Sequence, residues 1–517
     1  MTKWIRLALM CALTGTLVLT ACDDGSGDVD GSVGQDGGSR GDGGSEDCDP
    51  EGVEVSGEIS ADTRWSCPLY VLQDNVFVVG DSTLTIEVGT EIIGETGGAS
   101  AAALIVTRGS QIEANGTAEA PIVFTSGNLP GARQTGDWAG LALLGSATTN
   151  DGECEGGSGD ECTGGFLQDR IEGIDAADPR GLYGGTDDSS SCGTLRYVRI
   201  EFAGRELSPD NELNGLTLGA CGSGTRISYV QVHRGKDDGV EFFGGTASLD
   251  HVVISGASDD SLDFDEGWRG NGQFIVIHQF PGVGDRAIEA DNFGSNEAAT
   301  PVTQPYLSNV TIIGTDENQV ALFREGMTGI MTNFLVTNFG TPPDVNASIV
   351  DPNGTWPDEF VINNSLFHDI GTFPAEDVGL AAAWAEADRL AGGALDDAAP
   401  GNLRNFLSAI DSAESDGTIT GEQADAISAY LSVSLDDDFG FDEAAELMNE
   451  ARMNTFDVDP EIGSASATAP DYVPGSGSLP AGGTPVFNAM APSDFDTGAT
   501  FVGAIDPAAG TPWTEGW

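Results

Sequence analysis

Short alternations of apolar and polar residues fill the middle of the chain, and they recur. The segments Leu195-Arg-Tyr-Val-Arg-Ile200, Ile227-Ser-Tyr-Val-Gln-Val232, Leu249-Asp-His-Val-Val-Ile254, Leu307-Ser-Asn-Val-Thr-Ile312 and Met331-Thr-Asn-Phe-Leu-Val336 share one pattern. Their start-to-start steps are 32, 22, 58 and 24 residues, and the step of 58 contains a weaker copy at 272–277. A strand-length motif at a unit near 22–25 residues predicts stacked coils of a parallel β-helix, because each coil buries its apolar side only against its neighbours. A second series lies between these segments: Asn214-Gly-Leu-Thr-Leu218, Asp238-Gly-Val-Glu-Phe242, Asp260-Ser-Leu-Asp-Phe264, Arg286-Ala-Ile-Glu-Ala290 and Asn318-Gln-Val-Ala-Leu322. Period-two alternation directs Leu216/Leu218, Val240/Phe242, Leu262/Phe264, Ile288/Ala290 and Val320/Leu322 inward. A β-sandwich has no need of one motif at a fixed step.

The pattern extends toward the N-terminus as Gly-punctuated strands within 84–92, 104–112, 121–125 and 136–141. It breaks at about Pro374, where Ala, Leu, Glu and Asp take over at helical spacing as far as Asn454. The expected organisation is a β-helix over 48–373, an α-helical insertion over 374–455 and a C-terminal segment, 456–517, that returns to the β-helix. Within the insertion, 412–423 has the spacing of an EF-hand loop. Ser412 and Gln423 stand where the first and last carboxylates belong, so a polar turn between helices is expected.

Several stretches resemble a family of large bacterial surface proteins and lipoproteins. They are LIVTRGSQIEANGTAEAPIVFTS (104–126), GDWAGLALLG (136–145), YGGTDDSSSCGTLRYVRIEFAG (183–204), ELNGLTLGACGSGT (212–225) and FVGAIDPAAGTPWTEGW (501–517). The resemblance covers about 70–372 and the tail. It implies a right-handed, pectin-lyase-like parallel β-helix exported to the cell envelope, and no established reaction. The fold class expected is therefore all-β, with a small α-helical insertion near the C-terminus.

Charge and address sharpen the picture. The chain carries 83 Asp+Glu against 20 Lys+Arg, a net −63. Nucleic acid as a partner is thereby disfavoured, since phosphate contacts need Lys and Arg. The start, Met1-Thr-Lys3-Trp-Ile-Arg6, leads into an apolar stretch from Leu7 to Leu19 and then Thr20-Ala21-Cys22. A basic end, an apolar run too short to span a bilayer and small residues at a cleavage point predict a secretory signal over 1–21. The segment around Cys22 resembles the lipobox of bacterial lipoproteins. That resemblance implies acylation of Cys22 and anchoring to a bacterial envelope membrane, at the outer membrane or cell surface. Residues 22–47, nearly all Gly, Asp and Ser after the Cys, read as a disordered tether reaching roughly 25–30 Å. The six remaining exported cysteines favour three disulfides, and local pairing gives Cys48–Cys67, Cys154–Cys162 and Cys192–Cys221 among fifteen formal connectivities. No cysteine or histidine spacing indicates zinc.

Chemistry concentrates on the outward side of the second series. With Val240/Phe242, Leu262/Phe264 and Ile288/Ala290 inward, Glu241, Asp263 and Glu289 point outward in successive coils, and Asp265 and Asp291 form a parallel row. Preceding turns add Asp238 and Asp260. Coils stack about 4.8 Å apart, and like charges that close do not all stay ionised without a cation or raised pKa values. Three readings follow. The acids build turns and a solvated face. Alternatively, Asp238, Glu241, Asp260, Asp263, Asp265, Glu289 and Asp291 bind calcium, a cation that favours several oxygens. In the third reading Asp263, Glu289 and Glu241 are catalytic carboxylates of a polysaccharide lyase or glycoside hydrolase. The Asp-Asp-x-apolar-acid pattern is similar to strands of polygalacturonase-type β-helices, but the Gly-His-Gly element of that family is missing here. Lys236, Arg269, Arg286 and Arg324 are the nearby bases, and Trp268 and Phe243 are candidate sugar-stacking rings. The leading expectation is a non-enzymatic envelope protein that binds a glycan or an outer-membrane protein partner, with calcium along the acid ladder.

Overall fold

The computed structural model describes residues 48–96, 102–158, 162–175, 177–208, 211–346, 359–373, 380–395, 403–434, 443–475, 477 and 479–516. The signal over 1–21, Cys22 and the tether to 47 lie outside these residues. One parallel sheet of 24 strands winds through the molecule, and coil stacks on coil from the N-terminal end onward. The repeats pair as their spacing predicts: Leu195 with Ile227, Ile227 with Leu249, Leu249 with Gly272, Gly272 with Leu307, and Leu307 with Met331. No described helix is long and apolar enough to cross a membrane.

Each six-residue motif of the first series carries two faces of the coil rather than one. In the strands Gly193–Glu201 and Arg226–His233, residues 194–196 pair with 226–228 and 198–201 with 230–233, and Tyr197 and Tyr229 are skipped. Both have left-handed backbone, φ 49° and 54°, as do His251, Phe274, Asn309, Asn333 and Asn364 at the same place in later coils. One left-handed residue bends the strand and resets its alternation, so Leu195, Val198 and Ile200 are all buried in the core. That conformation costs a residue with a Cβ about 1–2 kcal/mol. Stacking compensates at one end of the corner column, with ring centroids 4.5 Å apart for Tyr197–Tyr229 and 4.4 Å for Tyr229–His251. At the other end stand asparagines, which tolerate this region.

The third face is built by Leu216–Gly219, Val240–Phe243, Leu262–Asp265, Arg286–Ala290 and Gln319–Phe323. Leu216, Val240, Leu262 and Ile288 stack in register with their apolar sides inward, as expected. The last coil corrects the expected phase. Ile288 and Ala290 pair with Ala321 and Phe323, so Leu322, expected to point inward, follows the outward row. The unbroken apolar run Val320–Phe323 offers no alternation from which to read a phase. Gly239 is required here, because a Cβ would lie 2.3 Å from Ile254 Cγ2.

Between the strands Gly140–Leu144 and Gly193–Glu201 the chain leaves the coil and folds back over the third face. It forms a small antiparallel sheet of Glu153–Glu155, Phe166–Arg170 and Leu182–Tyr183. Ile171, Tyr183 and Leu213 cover Phe77, Ile105, Ala142 and Leu144 in a second core outside the coil. The disulfides Cys48–Cys67, Cys154–Cys162 and Cys192–Cys221 are all formed. The helices Leu380–Leu390, Leu403–Ser415 and Gly421–Ser434 share their own core around Trp384, Phe406 and Ile427. Ser412 lies inside the second of these and bonds back to Ser408 O, while Asp416 and Gln423 bind Thr418 and Thr420 beside them. The segment 412–423 is thus occupied with its own turn. From 456 the chain returns to the β-helix as an outer strap: among its described residues only Thr455–Phe456 joins the stack, on Leu366–Ile370. Tyr472, Ala504 and Ile505 then pack over Val253, Val276 and Ile313.

Candidate functional site

The outward side of the third face is covered by the excursion in its early coils and opens beyond its edge. There a cleft of about 280 Å³ is lined by Ile171 and Leu213 on one wall and by Asn214, Thr217, Asp238, Glu241 and Phe243 on the other. Parallel register fixes the row of side chains that borders it. Thr217 pairs with Glu241, Glu241 with Asp263, Asp263 with Glu289 and Glu289 with Leu322. Phe243 pairs with Asp265 in the adjacent row, and the Asp291 N–H donates to Phe264 O one coil on.

The seven acids read from the pattern divide into four groups. Asp238, Glu241 and Asp263 converge, with one carboxylate oxygen from each lying within 4.8 Å of the others. Asp260 belongs to a second convergence with Asp259 and Asp285. Glu289 and Asp291 are instead neutralised: Arg324 reaches Glu289 at 2.8 Å and Asp291 at 2.6 Å, and Arg286 reaches Glu289 at 3.5 Å. Asp265 stands beside Asp263. One buried oxygen of each, Oδ1, receives no hydrogen bond.

The turn acids also do structural work. Asp238 N–H donates to Asn214 Oδ1 at 3.2 Å, Asp260 N–H to Asp238 Oδ1 at 2.9 Å, and Arg286 N–H to Asp260 Oδ1 at 2.6 Å. Each turn side chain thus accepts the backbone of the next coil. Asn214 also donates through Nδ2 to Glu241. Desolvation raises the Asp238, Glu241 and Asp263 carboxyls well above the usual range, and the neighbouring carboxylates raise them further. Burial likewise lifts Asp260 to about 10, helped by Glu289. Groups so shifted hold protons near neutrality or give them up to a cation.

Trp268 does not serve as a sugar platform. It is fully buried, stacks on Phe242 at 4.2 Å and donates Nε1–H to Ala247 O. Phe243 does line the cleft, against Tyr183. Among the bases, Arg269 is held by Thr148 and Asp188, and Arg286 and Arg324 by the acids of the ladder.

Sequence reading missed a separate acidic cluster, Asp151, Asp169 and Glu266, at the seam between excursion and coil. Tyr183 OH donates to Glu266 at 3.0 Å and Thr149 OH at 2.9 Å. Burial, with Asp169 and Asp151 beside it, lifts the Glu266 carboxyl to about 8. Glu266 adjoins the ladder in sequence, but no local signal joins it to residues about a hundred positions earlier.

The family model for the pectate-lyase like beta helix domain matches residues 57–384, more than half of the chain. No curated protein and no solved structure matches the chain significantly.

Proposed function

The chain belongs to the family of pectate-lyase-like β-helix domains, and on that premise we propose that it is a non-enzymatic binding protein of the bacterial envelope. In this reading it is lipid-anchored through Cys22 at the outer membrane or cell surface. Its cleft binds a neutral glycan or a protein partner beside a divalent cation, calcium by preference. The observation that carries the reading is the convergence of Asp238 and Glu241, which line the cleft, with Asp263 of the next coil. Arg286 and Arg324 pair with Asp260, Asp285, Glu289 and Asp291 and leave those three carboxylates to other partners. Hard divalent cations favour such all-oxygen sets. The net charge of −63 repels polyanions, which favours a neutral ligand.

A lyase or hydrolase is the second reading, supported by the raised Glu241 and Asp263 carboxyls, which suit a general acid. A lyase needs a free base, and the arginines of the ladder are engaged. Glycan-array binding, run beside reducing-sugar and unsaturated-product assays with and without chelator, separates the readings. Binding that Asp263→Ala and chelator both abolish, without turnover, is expected. Turnover lost in Asp263→Ala would make the protein an enzyme. Palmitate labelling that disappears in Cys22→Ala is the expected sign of the anchor.

A further inference from the structure

The ladder differs from end to end. At its start stands Thr217, 1% exposed, lining the cleft in register with Glu241, and its Oγ1 has no hydrogen-bond partner. A buried hydroxyl without a partner is costly, and one that lines the same cleft as Asp238 and Glu241 has an evident use as a neutral ligand. Asp263 Oδ1, two coils along, is a buried acceptor that no donor reaches. At the other end the turn series Asn214, Asp238, Asp260 arrives at Arg286, where the next acid of the series would stand. Its guanidinium lies 2.7 Å from Asp285, 3.6 Å from Asp260 and 3.5 Å from Glu289. One positive group bearing on three carboxylates does what a bound cation does.

We propose that the ladder takes one divalent cation, held by Asp238, Glu241 and Asp263 with Thr217 Oγ1 as a neutral ligand. Arg286 is a tethered cation that closes the next position, the convergence of Asp259, Asp260 and Asp285. This assignment rests on the cation reading above and deepens it. It makes Arg286 the residue that sets the stoichiometry and Thr217 a determinant of affinity that carries no charge.

Calorimetric titration of calcium chloride into the chelator-stripped full chain tests both parts, with Glu266→Gln present in every sample, wild-type ladder included, to take the Asp151–Asp169–Glu266 cluster out of the count. Wild type and Arg286→Lys are expected to bind one ion, and Arg286→Gln two. Thr217→Val, which keeps the shape and removes the oxygen, is expected to weaken the wild-type site about tenfold without lowering the melting temperature of the cation-free protein. A single ion in Arg286→Gln, or two in wild type, overturns the closing role while leaving cation binding intact. Unchanged affinity in Thr217→Val overturns the ligand assignment, and does so even if Arg286→Gln fails to fold. No ion in wild type but one in Arg286→Gln supports the closing role and defeats the reading beneath it. No ion in any variant defeats both.

Discussion

Glu266 is 8% exposed, and the carboxyls of Asp169 and Asp151 share its surroundings. Its carboxyl titrates at about 8 when folded, against 4.5 for the group in its ordinary state. The folded protein therefore binds a proton that the unfolded chain has released between those values. The stability this contributes is complete below about 4.5 and is lost as pH rises through about 8. Raised carboxyls at Asp238, Glu241 and Asp263 act with the same sign. Melting temperature in the absence of divalent cations is thus expected to fall from pH 5 to pH 9. Glu266→Gln, which keeps an acceptor for Tyr183, should flatten the slope and melt higher than wild type at pH 9. Parallel curves for the two proteins would mean that Glu266 is ionised when folded.

At the level of elements, stability depends on how closely coils approach. Gly193 opens the strand Gly193–Glu201 with φ 112°, and a Cβ there would lie 1.9 Å from Ile112 O in the coil below. Nothing flexible can yield at that contact. Beside it, Cys192–Cys221 closes a loop of 29 residues across the coil. Chain entropy assigns such a crosslink about 3–4 kcal/mol. The double variant Cys192→Ala/Cys221→Ala should lose about that much stability in urea and keep its far-ultraviolet circular dichroism. Gly193→Ala should fail to assemble the coil, seen as loss of that signal or of soluble protein. A folded Gly193→Ala of wild-type stability would contradict the tight stacking at this seam.

Across the whole molecule, the strap carries the outer side of the coils as the core carries the inner. It is held by side chains that treat its backbone as a neighbouring strand. Asn271 and Asn488 exchange two bonds of 2.9 Å, Gln273 binds both N–H and C=O of Asp496, and Asn309 donates to Phe501 O at 2.7 Å. Asn333 donates to Gly483 O at 2.9 Å and accepts its N–H at 2.6 Å. Asn333→Ala should cost about 2–4 kcal/mol, since it removes the donor to the buried Ala499 carbonyl and both bonds to the half-buried backbone of Gly483. It should also speed proteolysis within 479–505 and raise hydrophobic-dye binding as Val253, Val276 and Ile313 lose their cover. Cleavage at wild-type rate would show that apolar packing alone seats the strap.

The periodic motif at 195, 227, 249, 272, 307 and 331 determined a stack of coils and its register, because side-chain alternation and repeat length are local properties. It also brought Glu241, Asp263 and Glu289 into one row, since equal register in a parallel stack leaves them nowhere else to go. Local pairing of cysteines was legible for a similar reason: chain neighbours in a solenoid are spatial neighbours. Tertiary structure decided the rest. Alternation does not reveal the left-handed corner at Tyr197 that makes three faces from two series, because only the backbone sign differs. Which acids converge and which are neutralised by Arg286 and Arg324 depended on where long side chains reach across coils. The Gly- and Asp-rich excursion that walls the cleft carries no period of its own, so its fold over the third face emerges only from the apolar contacts of Ile171 and Tyr183.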